Sequence, residues 1–191
     1  TDDVNVDTER FSVEEMYTQV ENDEFFFRAG DVLGDFSNYS LLSSLKAVKT
    51  GVVQENSLGK WGVKGIFGTN KSRWEDFWDE VSGENYTRYI GGARFFQNIG
   101  KDSVLGFNFV SNDDDKDGFS STASVPQDNK VASVDFKTKL FKNFLLNTEL
   151  ATSFTKLNES QADVHYKNDF AYNLDTLYSW NNWSFQNDFE R

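Results

Sequence analysis

From residue 132 to 140 the even positions read Ala132, Val134, Phe136, Thr138 and Leu140, while the odd ones read Ser133, Asp135, Lys137 and Lys139. Side chains alternate between the two faces of a strand, so this run predicts a strand with one apolar and one charged face. The next run repeats it, with Leu146, Thr148, Leu150, Thr152 and Phe154 set against Asn147, Glu149, Ala151 and Ser153. Only Phe141-Lys142-Asn143-Phe144 separates the two, which predicts a tight hairpin. A third run sets Ala162, Val164, Tyr166, Phe170, Tyr172 and Leu174 against Asp163, His165, Lys167, Asp169, Asn173 and Asp175, with Asn168 as a polar exception. Asn181-Asn182, a pair that tolerates positive φ, then leads into Trp183, Phe185 and Phe189 opposite Ser184, Gln186, Asp188 and Glu190.

The same alternation runs less cleanly through the first half. Residues 85–97 and 103–111 predict a second pair of strands, with Leu105, Phe107 and Phe109 on the apolar face, and Gly91-Gly92 is read as a bulge or bend. Residues 38–54 and 60–69 predict another pair, joined by Glu55-Asn56-Ser57-Leu58-Gly59, and a further strand is expected near Glu24 to Ala29. This amounts to about eight strands with one extra.

Two segments carry helical signals instead. Ser12-Val13-Glu14-Glu15 is a capping box followed by Met16, Tyr17 and Val20 at helical spacing. Ser72-Arg73-Trp74-Glu75 is another, with Trp74, Phe77, Trp78 and Val81 on one face and Gly83 placed to end it. The first predicts an N-terminal segment, 1–22, with a short helix ahead of a β-domain over 23–191. The second is expected to pack its rings on the strand ends, or to fold inward or meet a partner.

The connections decide the architecture. Turns near 56, 100, 142 and 181 are short, whereas the stretches 70–84, 111–129 and 156–161 are longer and polar. Short turns on one rim and long loops on the other predict an antiparallel up-and-down transmembrane β-barrel, or a segment of a larger one. Trp61, Phe95, Phe96, Phe141, Phe144, Trp180 and Trp183 flank the short turns and would form an aromatic girdle. The alternative is a soluble β-sandwich or jelly roll whose rings form a core.

Composition sharpens this picture. The 19 Phe, 7 Tyr and 5 Trp against one Pro suit pleated sheets. Nineteen Lys and Arg against 31 Asp and Glu give a net charge of −12, which argues against a nucleic-acid partner. No cysteine is present, so neither a disulfide framework nor a thiolate metal site is available. No apolar run approaches the ~18 residues of a membrane helix, a limit that does not apply to barrels.

Chemistry-bearing patterns are sparse. Asp113-Asp114-Asp115-Lys116-Asp117-Gly118 resembles the opening of an EF-hand calcium loop, where Asp113, Asp115 and Asp117 would be the ligands. Position twelve is Ser124 where that family has a bidentate Glu, and a solvated acidic loop is the competing reading. No other cofactor is indicated. His165 is the only histidine and has no triad partners at recognisable spacing, while carboxylate pairs are too numerous to single out an acid and a base. An enzyme is therefore not expected. If the apolar faces meet lipid, Asp135, Lys137, Lys139, Glu149, Asp163, His165, Lys167 and Asp169 line a hydrated lumen that passes solute or holds a plug or protein partner.

The hairpin rhythm, Gly30-Asp31, Tyr39-Ser40-Leu41-Leu42 and Gly59-Lys60-Trp61-Gly62-Val63 together resemble large outer-membrane β-barrels of Gram-negative bacteria. The Gly-Asp and Gly-Lys pieces are similar to the giant translocon barrel of type 9 secretion. The resemblance implies a porin-like or translocon-like conduit for polypeptide or solute in the bacterial outer membrane, with the lipid bilayer as partner and no catalytic residue. Many such barrels finish on an aromatic residue, whereas Asp188-Phe189-Glu190-Arg191 reads as mid-strand, which leaves two expectations, a fragment of a longer barrel or a barrel whose closing strands lie elsewhere. A complete eight-stranded barrel would be filled by its own side chains. The alternative function is an exported, periplasmic or extracellular β-domain that binds glycan or protein through its exposed rings.

Overall fold

The computed structural model describes residues 15–71, 87–115, 127–157, 165–180 and 183–191. The fold is all-β: ten antiparallel strands run up and down in one sheet, in chain order. They are β1 (Tyr17–Glu21), β2 (Phe25–Ser37), β3 (Leu41–Asn56), β4 (Gly59–Thr69), β5 (Arg88–Ile99), β6 (Ser103–Asp114), β7 (Gln127–Phe141), β8 (Phe144–Leu157), β9 (His165–Trp180) and β10 (Trp183–Glu190). β1 and β10 are the two edges, and among the described residues the sheet is not closed. A single meander also replaces the two-sheet sandwich or jelly-roll alternative, which needs strands that switch layers.

The expected count of about eight falls short at the N-terminus. Met16, Tyr17 and Val20 were expected on a helix, yet Tyr17–Glu21 is a strand paired with β2 from Tyr17↔Gly30 to Glu21↔Phe26. Tyr and Val suit a pleated edge, and the ladder offered by β2 outweighs a local capping signal. The Ser12 cap itself, like Trp74, Phe77 and Trp78 of the second expected helix, lies outside the described residues.

The sheet curls strongly. Laid flat, β2 and β8 would stand about 29 Å apart, six spacings of roughly 4.8 Å. Instead Ser37 at the end of β2 bonds Glu149 of β8 at 2.6 Å, and the Tyr39 hydroxyl bonds the Tyr172 carbonyl of β9 at 3.0 Å. The turn between β2 and β3 therefore folds across the concave side, which defines the inner face.

Parity then sorts the central strands. On β6, Gly106, Asn108 and Val110 are buried while Phe107 and Phe109 are exposed. On β8, Glu149 and Ala151 are buried and Leu150 is exposed. Among the girdle residues, alternation sends Phe95 outward, stacked between Trp61 and Phe107. Phe96, expected beside it, points inward, where Gly62 leaves room for its ring and the Lys64 ammonium sits 5.8 Å above it.

The inner face of the first half carries the apolar core: Val32, Phe36, Leu41 and Leu45 of the β2–β3 hairpin against Ala47, Ile66, Ile90 and Val110. Gly91-Gly92 is no bulge, because pairing runs unbroken through both residues. Gly92 instead makes room for the folded-in hairpin: a Cβ there would stand 2.8 Å from the Phe36 ring and 3.2 Å from Val110 Cγ2.

Gly92→Ala should therefore destabilise the fold by about 1–3 kcal/mol through overpacking. Gly65→Ala, whose Cβ would meet nothing nearer than 3.9 Å, serves as the reference. Equal denaturation midpoints for the two variants would contradict this packing.

Candidate functional site

The inner face is where polar side chains converge, and Arg94 is its centre. It projects from β5 between the inward positions Gly92 and Phe96, and its guanidinium grips Asp135 of β7 with two bonds, 2.6 and 2.8 Å. The same Nη1 donates to Asn108 Oδ1 and to the Phe36 carbonyl at the hairpin tip, both at 2.6 Å. Asn108 in turn donates to Asp135 at 2.8 Å and to Ser133 at 3.0 Å. Arg94 and Asp135 keep only 11% and 14% of their side chains exposed, so each charge depends on the other. Gly106, between them in the register, must lack a side chain because a Cβ there would strike both.

A second cluster adjoins the first. Ser37 Oγ donates to Glu149 at 2.6 Å and lies 2.5 Å from Ser40 Oγ and 3.2 Å from Ser133 Oγ. The Tyr39 amide donates to the other Glu149 oxygen at 3.4 Å. Glu149 is 3% exposed, and these hydrogen bonds are what shelters its carboxylate from an apolar cost. Partial burial, with the Glu190, Glu149 and Asp188 carboxylates close by, pushes the Tyr39 phenol up to about 12.

Beyond Glu149 the inner face turns acidic. Asp188 stands opposite Asp175, and Glu190 opposite Asn173, while Asn147 and Glu149 face Asp175 and Asn173 from β8. Asn173 Nδ2 bridges Asp175 and Asp188 at 3.1 Å each, and Asn147 donates to Asp175 at 3.2 Å. Amide donors between like charges ease their repulsion.

Of the residues expected to line this face, Asp135 and Glu149 are drawn together under the hairpin tip. Lys137 and Lys139 lie further along β7 and are exposed. Lys167 and Asp169 pair with each other at 2.9 Å, exposed near the start of β9. His165 opens β9 opposite Leu157, and Asp163 lies outside the described residues. Asp113 belongs to β6, opposite Tyr89 and Asp128, so the first of the three expected calcium ligands sits in a strand. Asp114 takes the opposite face and holds Arg88 at 2.6 and 3.0 Å, Asp115 follows the strand, and Asp117 lies outside the described residues.

Arg94, Asn108, Ser37 and Tyr39 were not anticipated. Parity could have placed Arg94 with Gly92 and Ile90 on the inner face, but its partners come from one, two and three strands away, on β6, β7 and β2.

Two outcomes follow. Arg94→Met or Asp135→Leu alone should cost about 3–5 kcal/mol by stranding the other charge, and the double variant should be less harmed than either single one. Denaturation of all four proteins checks this, and additive losses would contradict it. Because the folded Tyr39 phenol holds its proton more tightly than an unfolded tyrosine, its contribution is full below pH about 10 and fades as pH rises towards about 12. Stability measured across that window should fall more steeply in the native chain than in Tyr39→Phe.

No family model, curated protein or solved structure matches this chain.

Proposed function

We propose that this chain is part of the wall of a bacterial outer-membrane β-barrel, without enzymatic activity, whose inner face borders a hydrated passage for solute or polypeptide. One observation carries the reading: over β6 to β9 the inner face of the curled sheet is largely polar, while the outward face is greasy. Glu149, Asn108, Ser133 and Asn173 are sheltered, while Phe67, Phe109, Leu150, Phe154 and Phe170 are half to two-thirds exposed. Each large apolar side chain removed from water is worth about 1.5–3 kcal/mol, so a sheet studded with them favours hydrocarbon outside.

Length agrees with this. The shortest of β2 to β9 has 11 residues, which at roughly 3.3 Å per residue and a 45° tilt rises about 26 Å, the height of an outer-membrane apolar band. The exposed rings Phe141 and Trp183 lie beside the short turns, where interfacial aromatics would sit.

The test is membrane residence. The protein should require detergent to stay monodisperse and should remain with liposomes after a high-salt wash. Leu150→Arg, at mid-height of β8, should weaken insertion by about 2–4 kcal/mol, whereas Lys137→Gln on the inner face should not. A monodisperse monomer in plain buffer would reject the proposal.

A further inference from the structure

The turn between β2 and β3 joins strand ends on the same rim as the long segments 70–87, 115–126 and 158–164, yet only residues 38–40 separate its strands. It does not stand up from that rim. Its tip crosses the concave space and makes contacts on β5, β7, β8 and β9, all through groups that a simple connection would leave in solvent. Phe36 and Leu41 are 5% and 7% exposed on the inner wall, and Ser40 is buried with them. The Phe36 carbonyl receives Arg94, Ser37 reaches Glu149 and Ser133, the Tyr39 amide meets Glu149, and the Tyr39 hydroxyl meets Tyr172.

We propose that this tip is an internal latch that occludes the passage, with Glu149 as its catch. The inference rests on the membrane-wall reading above and adds to it a moving part.

The chemistry of the catch suits release. Apart from Arg94, which is already committed to Asp135, the tip's polar contacts are made by neutral groups: Ser37 and the Tyr39 amide on Glu149, Ser37 with Ser133, and the Tyr39 hydroxyl on the Tyr172 carbonyl. Neutral donors on Glu149 can be exchanged for water, so the tip can leave without stranding a cation in the wall. The Arg94–Asp135 pair stays behind as a fixed part of the wall, since both of its members belong to strands. Once the tip is out, the face it uncovers carries Asn108, Ser133, Asp135 and Glu149, a lining that water wets, beside the apolar Ile90 and Val110.

A cross-link tests this directly, because the chain has no cysteine of its own. In the Ser37→Cys, Ser133→Cys, Glu149→Gln protein the two thiols replace hydroxyls 3.2 Å apart, and the catch is weakened. Oxidised in detergent, this protein should form an internal disulfide that neither single-cysteine variant forms. Reconstituted in planar bilayers, it should conduct at least twofold more when reduced than when oxidised, and the native chain should resemble the oxidised form. Failure to cross-link would show that the tip does not dock on β7, and equal conductance in the two redox states would show that it occludes nothing. If the native chain never enters a bilayer, the gate falls together with the membrane reading, and the detergent cross-link still reports separately whether the tip docks.

Discussion

The sheet is organised by an inverted division of polarity. Period-two alternation gives every strand two faces, and curling the sheet forces one of them into a confined space. Here, over β6 to β9, the confined face holds carboxylates, amides and hydroxyls, and the open face holds most of the rings. A shift of one residue in any pairing would drive Phe107 or Leu150 into the Arg94 network and push Asp135 or Glu149 outward. Register is therefore strongly specified along β5 to β9, and pairing there is continuous except at the β7–β8 turn.

Confinement of charge has a second effect. An ion pair such as Arg94–Asp135 would be worth little on an open surface, but with both side chains sheltered each charge is costly without its mate. The backbone of the folded-in turn then becomes part of the polar lining, since the Phe36 carbonyl accepts from Arg94 and the Tyr39 amide donates to Glu149. Glycine supplies the space: Gly92 beneath Phe36 and Gly106 between Arg94 and Asp135 are where the wall is thinnest.

The strands were legible because an uninterrupted two-residue alternation, as in Ala132 to Leu140 and Leu146 to Phe154, admits one interpretation. Edges were harder. Tyr17 to Glu21 carries both helix-like spacing and β-favouring residues, and only the exposed ladder of β2 decides between them. Parity also resolves Phe95 from Phe96, which adjacency in sequence had grouped together. The inner network was barely legible, because Asp135 and Glu149 are visible as polar-face residues while Ser37 and Tyr39 meet them only through curvature. Curvature is a property of ten strands together, and no local stretch of sequence records it.

The two unmatched margins of the sheet carry a last implication. β10, eight residues long, and β1, five residues long, are exposed throughout and each has one edge without a partner strand among the described residues. Main-chain amides and carbonyls that water satisfies become a liability of several kcal/mol apiece once surrounded by acyl chains. On the membrane reading, entry into the bilayer and the joining of these margins, to each other or to further strands, must then proceed as one coupled event, and the seam between β1 and β10 is where that event would be rate-limiting.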